Sequence, residues 1–267
     1  MNKYLAGHQV STTLNARLKA HLRHHKDLNG QQEAEKFILS VLPKQLQNDL
    51  LYEVRAPTVV AHRFFDAINV HFPQAIKHIT MQALKPVLTH QDETIFEIGD
   101  ACNRMIFVYR GRFIYSQNDK DTHHQAVQRA THDRDPQDKA RWSQLLASDN
   151  EEQDDFNAQE IGTGIWLSEA AVWLKWQNQG HCTALNDGLF FCLEVESFGA
   201  VVKNYMDVLS LVVAYATQFE RSFKVQTEGL SDILDMEFEC SIMGGAGKKS
   251  MVGGGKREIR RMTTRSA

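Results

Sequence analysis

The chain has 267 residues, of which 42% are hydrophobic and 24% are charged, and its formal net charge at pH 7 is −3. This length allows one large or two small domains, and the net charge gives no reason to expect nucleic-acid binding. No apolar run approaches the length of a bilayer span, and no charged-then-apolar leader follows Met1, so we expect neither a membrane helix nor a signal peptide.

The first 70 residues predict a series of short amphipathic helices. Their apolar residues recur at helical spacing: Leu14, Leu18 and Leu22; Phe37, Ile38 and Val41; Leu46, Leu50, Leu51 and Val54. Pro43 and Pro73 are predicted to begin helices, because proline fits the first helical turn, and Pro57 is predicted to break one. No strand is predicted before residue 93, which is typical of a helical module that buries its apolar stripes against another element.

The middle of the chain predicts two short strands and a hairpin. Residues 94–98 are β-branched and aromatic, and Gly99 closes them as a turn. Residues 105–109 are continuously apolar, and Gly111 supplies the second turn before 112–115. Glycine suits both turns because it enters backbone angles that other residues adopt only with strain.

Residues 117–160 are predicted to be a long solvated insertion. They are rich in Asp, Gln, His, Asn and Glu and include the acidic run 151–155. They have few large apolar residues apart from Trp142, Leu145 and Leu146, which lie inside a stretch that could form a helix over 140–147. We expect the insertion to be dispensable for folding, because this composition buries too little apolar surface to offset chain entropy.

Regular structure is predicted to return at residue 161. A short apolar helix or turn is expected over 170–176, followed by strands at 183–184 and 189–193. A short helix then covers 197–205, and Asp207 can cap a longer helix. From Gly229 the chain is rich in glycine and basic residues, which predicts a flexible basic tail over 229–267. That tail is either solvated and without function or weakly attracted to an anionic membrane.

The histidines and cysteines do not complete a metal site. Two groups of histidines invite that interpretation: His21, His24 and His25, which could share a helix face, and His123, His124 and His132, which lie in a polar segment. Neither group has a cysteine or carboxylate that completes a ligand set, so solvated positions are the favoured interpretation. The cysteines are scattered, at Cys102, Cys182, Cys192 and Cys240, which predicts reduced thiols in a cytosolic setting.

Two sets of motifs resemble a known family. Ile95-Phe96, Gly99-Asp100, the strand at 105–108 and Gly111 follow the order of the opening β-roll of cyclic nucleotide-binding domains. Leu42-Pro43 with Leu46, and His62 with Phe64-Phe65, resemble the helical C-linker of cyclic-nucleotide-gated, hyperpolarisation-activated and ether-à-go-go type channels. Together the resemblance covers roughly residues 11–225.

The resemblance implies an α+β fold in three parts. A helical C-linker-like segment would occupy 1–70. An antiparallel, jelly-roll-like β-roll flanked by helices, the cyclic nucleotide-binding-like domain, would occupy 71–228 and contain the disordered insertion 117–160. The flexible basic tail 229–267 would follow.

The implied function is that of a cytosolic gating or regulatory module of an ion channel subunit. The channel would be cyclic-nucleotide-gated or voltage-gated and of potassium type, with homo- or hetero-tetrameric partners and the pore outside this chain. The module would lie at the cytosolic face of a membrane and would not be an enzyme, since we find no phosphate-binding loop and no nucleophile with a placed base. The alternative is a soluble cyclic nucleotide sensor such as a protein-kinase regulatory subunit, which would need an intact ligand cassette.

The family's ligand cassette falls on Leu167 to Thr183 and departs from the family pattern. Glu169 matches the carboxylate that binds the ribose, and Thr183 matches the hydroxyl that binds the phosphate. The predicted degenerate ligand site is Glu169, Ala170, His181, Cys182 and Thr183. Gly180 stands where the family has its phosphate-binding arginine, and Ser168 replaces a glycine. The resemblance therefore implies weak cAMP or cGMP binding, or none, and no other cofactor, and it implies that an arginine at position 180 restores part of the affinity.

Overall fold

The computed structural model describes residue 34 and residues 36–132, 158–225 and 230–234. Its helices and antiparallel strands confirm the α+β fold class. The chain divides into two compact units, Met1–Leu50 and Leu51–Ala267. The predicted domain boundary after residue 70 stays a prediction. Within the described residues, no helix is long and apolar enough to cross a membrane.

The described part of the first unit is helical. Residues 36–41 form a helix, and helix α1 (Lys44–Val59) begins in this unit and ends in the second. The Gln47 side chain donates hydrogen bonds to the carbonyls of Leu39 and Leu42. These carbonyls need such partners because the last turn of a helix lacks intrahelical donors.

Pro57 lies inside α1, so the predicted break at this residue is wrong. Proline removes one backbone hydrogen bond of a helix, but α1 ends two residues later, so little helix remains to be disrupted. Two further helices follow in the second unit, α2 (Arg63–His71) and α3 (Pro73–Gln82), and Pro73 begins α3 as predicted.

The strands of the second unit form two four-stranded antiparallel sheets and one short ladder. In order across the first sheet lie β1 (Leu84–Thr89), β10 (Gly188–Glu194), β4 (Arg104–Arg110) and β7 (Trp166–Leu167). In order across the second lie β2 (Thr94–Phe96), β9 (His181–Ala184), β5 (Phe113–Ser116) and β6 (Ala158–Ile161). The short ladder pairs β3 (Ala101–Cys102) with β8 (Trp176–Gln177).

Both predicted glycine turns are confirmed. Gly99 has φ 85° and Gly111 has φ 112°, values in the left-handed region that glycine enters without a steric penalty. The second turn leads from β4 in the first sheet to β5 in the second sheet. The two strands do not pair with each other, so the predicted hairpin is wrong.

The hydrophobic core has two main parts. One lies between the two sheets and includes Ile106, Phe113, Leu167 and Phe190. The other lies where helices cover the opposite face of the first sheet, and it includes Phe65, Ile76, Phe107, Leu193 and Phe219. The helices of this layer besides α1 to α3 are α5 (Ala170–Trp173), α6 (Val195–Val202) and α7 (Met206–Val225).

The predicted disordered insertion is partly ordered, so the prediction is wrong for its ends. Residues Lys120–His132 form helix α4, and Ala126, Val127 and Ala130 pack against the outer face of the second sheet. The spacing of these residues gives the helix one narrow apolar face despite its polar composition. Residues 133–157, with Trp142, Leu145 and Leu146, lie outside the described residues.

The predicted flexible tail also contains an ordered segment. Residues 230–234 pack against the rest of the second unit, and Asp232 and Leu234 are buried. The prediction of a flexible tail is therefore wrong for these five residues. Three other predicted features lie outside the described residues: the Leu14, Leu18 and Leu22 stripe, the His21 group, and the basic cluster from Lys256.

Candidate functional site

The carboxylate of Asp232 lies in a buried polar network, and the residue is 1% exposed. Its Oδ1 accepts three hydrogen bonds, from Trp176 Nε1 at 2.7 Å, Asn178 Nδ2 at 3.1 Å and Ser168 Oγ at 3.2 Å. Asn178 also donates to Ser168 Oγ at 3.1 Å. A carboxylate oxygen needs such donors because burial without them is costly.

The second carboxylate oxygen, Oδ2, accepts two more hydrogen bonds. The backbone N–H of Gln179 donates at 2.7 Å and the Tyr115 hydroxyl at 3.2 Å. Burial raises the pKa of Asp232, and the hydrogen bonds from Trp176 and the Gln179 backbone oppose that rise. We refer to the five donors to the carboxylate, all of them uncharged, as the Asp232 site: Tyr115, Ser168, Trp176, Asn178 and Gln179.

The main chain of the 230–234 segment is bound as well. The Ser168 N–H donates to the Asp232 carbonyl at 2.7 Å, and the Asp232 N–H donates to the Tyr115 hydroxyl at 3.0 Å. The Gln117 side-chain amide donates to the Leu230 carbonyl. The segment is therefore held through both its carboxylate and its backbone.

Ser168 occupies a strained backbone position, at the place where the resemblance led us to expect a glycine. Its φ is 57°, in the left-handed region, which costs a non-glycine residue on the order of 1 kcal/mol. In return, both its N–H and its hydroxyl reach Asp232. Strain of this kind persists where the surrounding contacts determine the conformation, and here those contacts come from the 230–234 segment.

Glu169, the predicted ribose carboxylate, faces the helices instead of Asp232. It is 3% exposed and accepts hydrogen bonds from His62 Nε2 at 3.0 Å, the Tyr215 hydroxyl at 2.9 Å and Trp173 Nε1 at 3.3 Å. Burial opposes the charged form of Glu169, but His62 and the hydroxyl and indole donors outweigh it and lower the pKa. Glu169 thus connects α2, α5 and α7.

The His62 ring links this carboxylate to the start of α2. Its Nδ1 accepts a hydrogen bond from the Phe64 N–H at 3.2 Å and so caps the helix. Because Nδ1 accepts, Nε2 carries the proton that is donated to Glu169.

Thr183 and His181 contact helix α4, on the opposite face of the second sheet. The two ring nitrogens of His123 lie 2.7 Å from Ser116 Oγ and 2.8 Å from Thr183 Oγ1, and the His181 ring lies 5.4 Å away. Burial, and then the neighbouring His181 and His124, lower the pKa of His123 to about 4. His123 is therefore neutral at pH 7, and Thr183 is already hydrogen-bonded.

The two remaining predicted residues lie in the core. Cys182 is fully buried between the sheets, and burial raises its pKa above the ordinary value of a thiol. Ala170 is fully buried beneath the helices. The structure therefore does not bring Glu169, Ala170, His181, Cys182 and Thr183 together into one site.

The backbone at Gly180 leaves no room for a side chain, and therefore none for the arginine that the resemblance implies at this position. A Cβ atom at this residue would lie 2.5 Å from the Ser116 carbonyl oxygen and 2.7 Å from the Tyr115 ring. An arginine there would force β5 to shift, which argues against the expectation that it restores affinity. Among the cassette residues, the side chains of Ser168, Trp176 and Asn178 donate to the buried Asp232 carboxylate.

Sequence reasoning missed most of the residues that form the Asp232 site. Tyr115 and Trp176 were interpreted only as strand or helix residues, and Asp232 was placed in a flexible tail. The available signal was Leu230-Ser-Asp-Ile-Leu234, an aliphatic pattern around one acidic residue. It stands between a long predicted helix and a glycine-rich basic stretch, which made it easy to overlook.

A cavity of about 310 Å³ borders the Asp232 site and shares Asn178 with it. Phe96, Cys102 and Arg104 are among its lining residues. Within the described ranges, no three His, Cys, Asp or Glu side chains are grouped so as to hold a metal ion.

Two comparisons with known proteins found no match for this chain. No protein-family model matches it, and no curated protein matches it significantly.

Proposed function

We propose that the protein is the regulatory module of an ion channel subunit, with a helical C-linker followed by a cyclic nucleotide-binding-like β-roll, and that it is not an enzyme. The channel is of the voltage-gated potassium or cyclic-nucleotide-gated type, and the module acts in ion transport from the cytosolic face of a membrane. In support, the family-like turns at Gly99 and Gly111 flank β4, and Leu167 to Glu169 lead into the short helix α5.

One observation carries the proposal that this module works without a nucleotide. The Asp232 site already holds an anionic group, and all its donors are neutral. A cyclic phosphate would have to replace the Asp232 carboxylate without gaining a lysine or arginine partner. The loss of a charged partner weakens binding by about a hundredfold or more. The absence of a cationic partner among these donors favours a channel gating module over the alternative, a soluble cyclic nucleotide sensor.

Titration of the full chain with cAMP and with cGMP by isothermal calorimetry tests the proposal. We expect no binding below about millimolar nucleotide, since neither the phosphate nor the ribose has a vacant charged partner. Inosine monophosphate serves as a control for non-specific binding of an organic phosphate. Micromolar binding of either cyclic nucleotide, well above that control, would support the sensor alternative instead.

A further inference from the structure

We infer that the cavity bordering the Asp232 site, whose lining includes Asp100, Arg104 and Asn178, binds a free α-amino acid with an apolar side chain. This inference goes beyond the proposed function and does not depend on it. It rests on the combination of charged, amide and apolar groups around one space.

The size of the cavity limits the size of the ligand. An apolar cavity of about 150 Å³ holds one benzene molecule, whereas this cavity has a volume of about 310 Å³. It therefore suits a molecule of about a dozen non-hydrogen atoms, such as phenylalanine. A cyclic nucleotide has more than about twenty such atoms and is too large, so the cavity does not change the expectation that cyclic nucleotides fail to bind.

One wall of the cavity is apolar and belongs to the core between the sheets. Phe96 and Ile106 line it and are 6% and 2% exposed, and Ile95 lines it and packs against the same core. Covering such a wall with an apolar group removes apolar surface from water, which is favourable. This wall therefore favours an aliphatic or aromatic side chain on the ligand.

Arg104 supplies a positive charge that no carboxylate of the described residues pairs with. Its partner in the strand register is Glu194, but that carboxylate is bound by Lys85 Nζ at 2.7 Å and by the Ser197 hydroxyl at 3.2 Å. Because a guanidinium forms charge-assisted hydrogen bonds with a carboxylate, we assign Arg104 to the carboxylate of the ligand.

Asn178 and Asp100 supply acceptors for an ammonium group. The amide nitrogen of Asn178 already donates two hydrogen bonds, to Ser168 Oγ and Asp232 Oδ1, so its amide oxygen is the group left for a ligand. Asp100 adds a negative charge at the exposed edge of the cavity. A zwitterion uses the charges of Asp100 and Arg104 together, whereas a simple anion would be repelled by Asp100.

The turn that carries Asp100 is already fixed in place. The Gly99 N–H donates to the Asn178 carbonyl at 2.8 Å, and the Asn178 N–H donates to the Asp100 carbonyl at 2.9 Å. The Asp100 Oδ2 also accepts from the Glu97 N–H at 2.8 Å. The acceptors are therefore held together before a ligand arrives, which lowers the ordering cost of binding.

Nuclear magnetic resonance titration of the full chain tests the inference with three probes. L-Phenylalanine carries both charged groups, 3-phenylpropionate lacks the ammonium group, and 2-phenylethylamine lacks the carboxylate. We expect L-phenylalanine to shift the amide resonances of residues 95–106 and 178 with a Kd of about a millimolar or tighter, and each analogue to bind at least about tenfold more weakly. No shift of these resonances at about 10 mM L-phenylalanine, or equal binding of all three probes, would overturn the inference.

Two substitutions test which charge meets which group of the ligand. Arg104→Gln should weaken L-phenylalanine at least about tenfold and leave 2-phenylethylamine within about twofold, because that probe has no carboxylate. Asp100→Asn should weaken L-phenylalanine and leave 3-phenylpropionate at least as tightly bound, since asparagine keeps an oxygen for the Glu97 N–H. The opposite pattern, in which each variant weakens only the other analogue, would contradict the assignment.

Arg110→Gln is the matched control, because Arg110 is exposed at the other end of β4 and the variant loses the same charge. It should leave all three affinities within about twofold, and an effect equal to that of Arg104→Gln would overturn the inference. Arg104→Lys applies where Arg104→Gln fails to fold. It keeps the charge but not the bidentate geometry, so it should weaken L-phenylalanine severalfold and leave 2-phenylethylamine unchanged. Equal weakening of both probes would overturn the inference.

Discussion

Glu169 and Asp232 are both buried carboxylates of the second unit, and they differ in which protein groups donate hydrogen bonds to them. Glu169 is bound by His62, Tyr215 and Trp173, which all belong to the helical layer or its edge. Asp232 is bound by donors from strands and from the turn before α5. The resemblance identified the carboxylate at position 169 but could not show that the protein's own side chains already satisfy it.

Near the Asp232 site, the backbone of Gly180 lies very close to β5. This close packing predicts that any side chain at position 180 lowers the stability of the fold. Gly180→Ala should lower the free energy of unfolding by about 1–3 kcal/mol, because the new Cβ meets the Ser116 carbonyl and the Tyr115 ring. The control is Gly199→Ala in α6, where a Cβ meets nothing within 4 Å and alanine's helix propensity favours the folded state.

Thermal unfolding followed by circular dichroism compares the two variants. One kcal/mol corresponds to about 2–4 °C for a domain of this size, so Gly180→Ala should melt several degrees lower and Gly199→Ala at or slightly above the unaltered chain. Identical melting temperatures for the two variants would mean that β5 moves aside without cost.

At the level of secondary-structure elements, helix α4 illustrates what composition hides. Its sequence is dominated by polar residues, and only Ala126, Val127 and Ala130 give it a buried face. The average composition over 117–160 therefore predicted disorder. The helix forms because the apolar residues within one short stretch are spaced so that they lie on one face. The buried His123 adds two hydrogen bonds that no sequence pattern indicates, since Ser116 and Thr183 come together only across two paired strands.

The strands within residues 94–115 were predicted for the opposite reason, although β1 (Leu84–Thr89) shows that the prediction of no strand before residue 93 is wrong. Residues 94–115 combine β-branched and aromatic side chains with glycines at both turns, so local propensity and the fold agree. The 230–234 segment has no such local signal. Its order comes from contacts with residues at least 51 positions away, the nearest in sequence being Gln179, and long-range contacts of this kind leave no periodicity to read.

The attachment of α4 predicts an acid-sensitive stability. The pKa of His123 is lowered to about 4, mainly by burial and then by His181 and His124, against about 6.5 in an unfolded chain. Between these values the unfolded chain binds more protons, so stability is complete above about pH 6.5 and is lost as the pH falls towards 4.

Urea unfolding at pH 7.5 and pH 5 measures this loss. The unaltered chain should lose about 1–2 kcal/mol more than His123→Gln over that interval, because glutamine keeps polar contacts and does not titrate. His124→Gln, at an exposed position of the same helix, is the control and should follow the unaltered chain closely. If His123→Gln keeps the full pH dependence, other groups titrate on unfolding in this range.

On the scale of the whole molecule, the first unit exposes apolar residues that a partner subunit can cover. Phe37 is 67% exposed, Val41 62% and Leu46 52%. Clustered exposed apolar residues of this size mark interaction surfaces, and homo-oligomers are the common outcome. In the proposed channel, a neighbouring subunit would cover these residues.

We therefore predict that the full chain forms oligomers at high concentration, with a mass above the 30.4 kDa of one chain. Phe37→Asp combined with Val41→Asp should reduce the mass measured by light scattering, because buried charge opposes association. Val213→Asp is the control, since Val213 is 56% exposed on α7 and lies outside the first unit. A monomer for the unaltered chain at every concentration would count against the channel subunit proposal.

The short connection between α7 and the 230–234 segment has a consequence for how firmly the segment is held. Four residues separate the end of α7 from Leu230, and a ligand on so short a tether acts at an effective concentration of about millimolar. A free competitor at micromolar concentration must bind about a thousandfold more tightly than the segment itself to occupy half of the sites. We therefore expect the 230–234 segment to stay bound unless α7 moves, because a dissolved ligand rarely reaches so high an effective concentration.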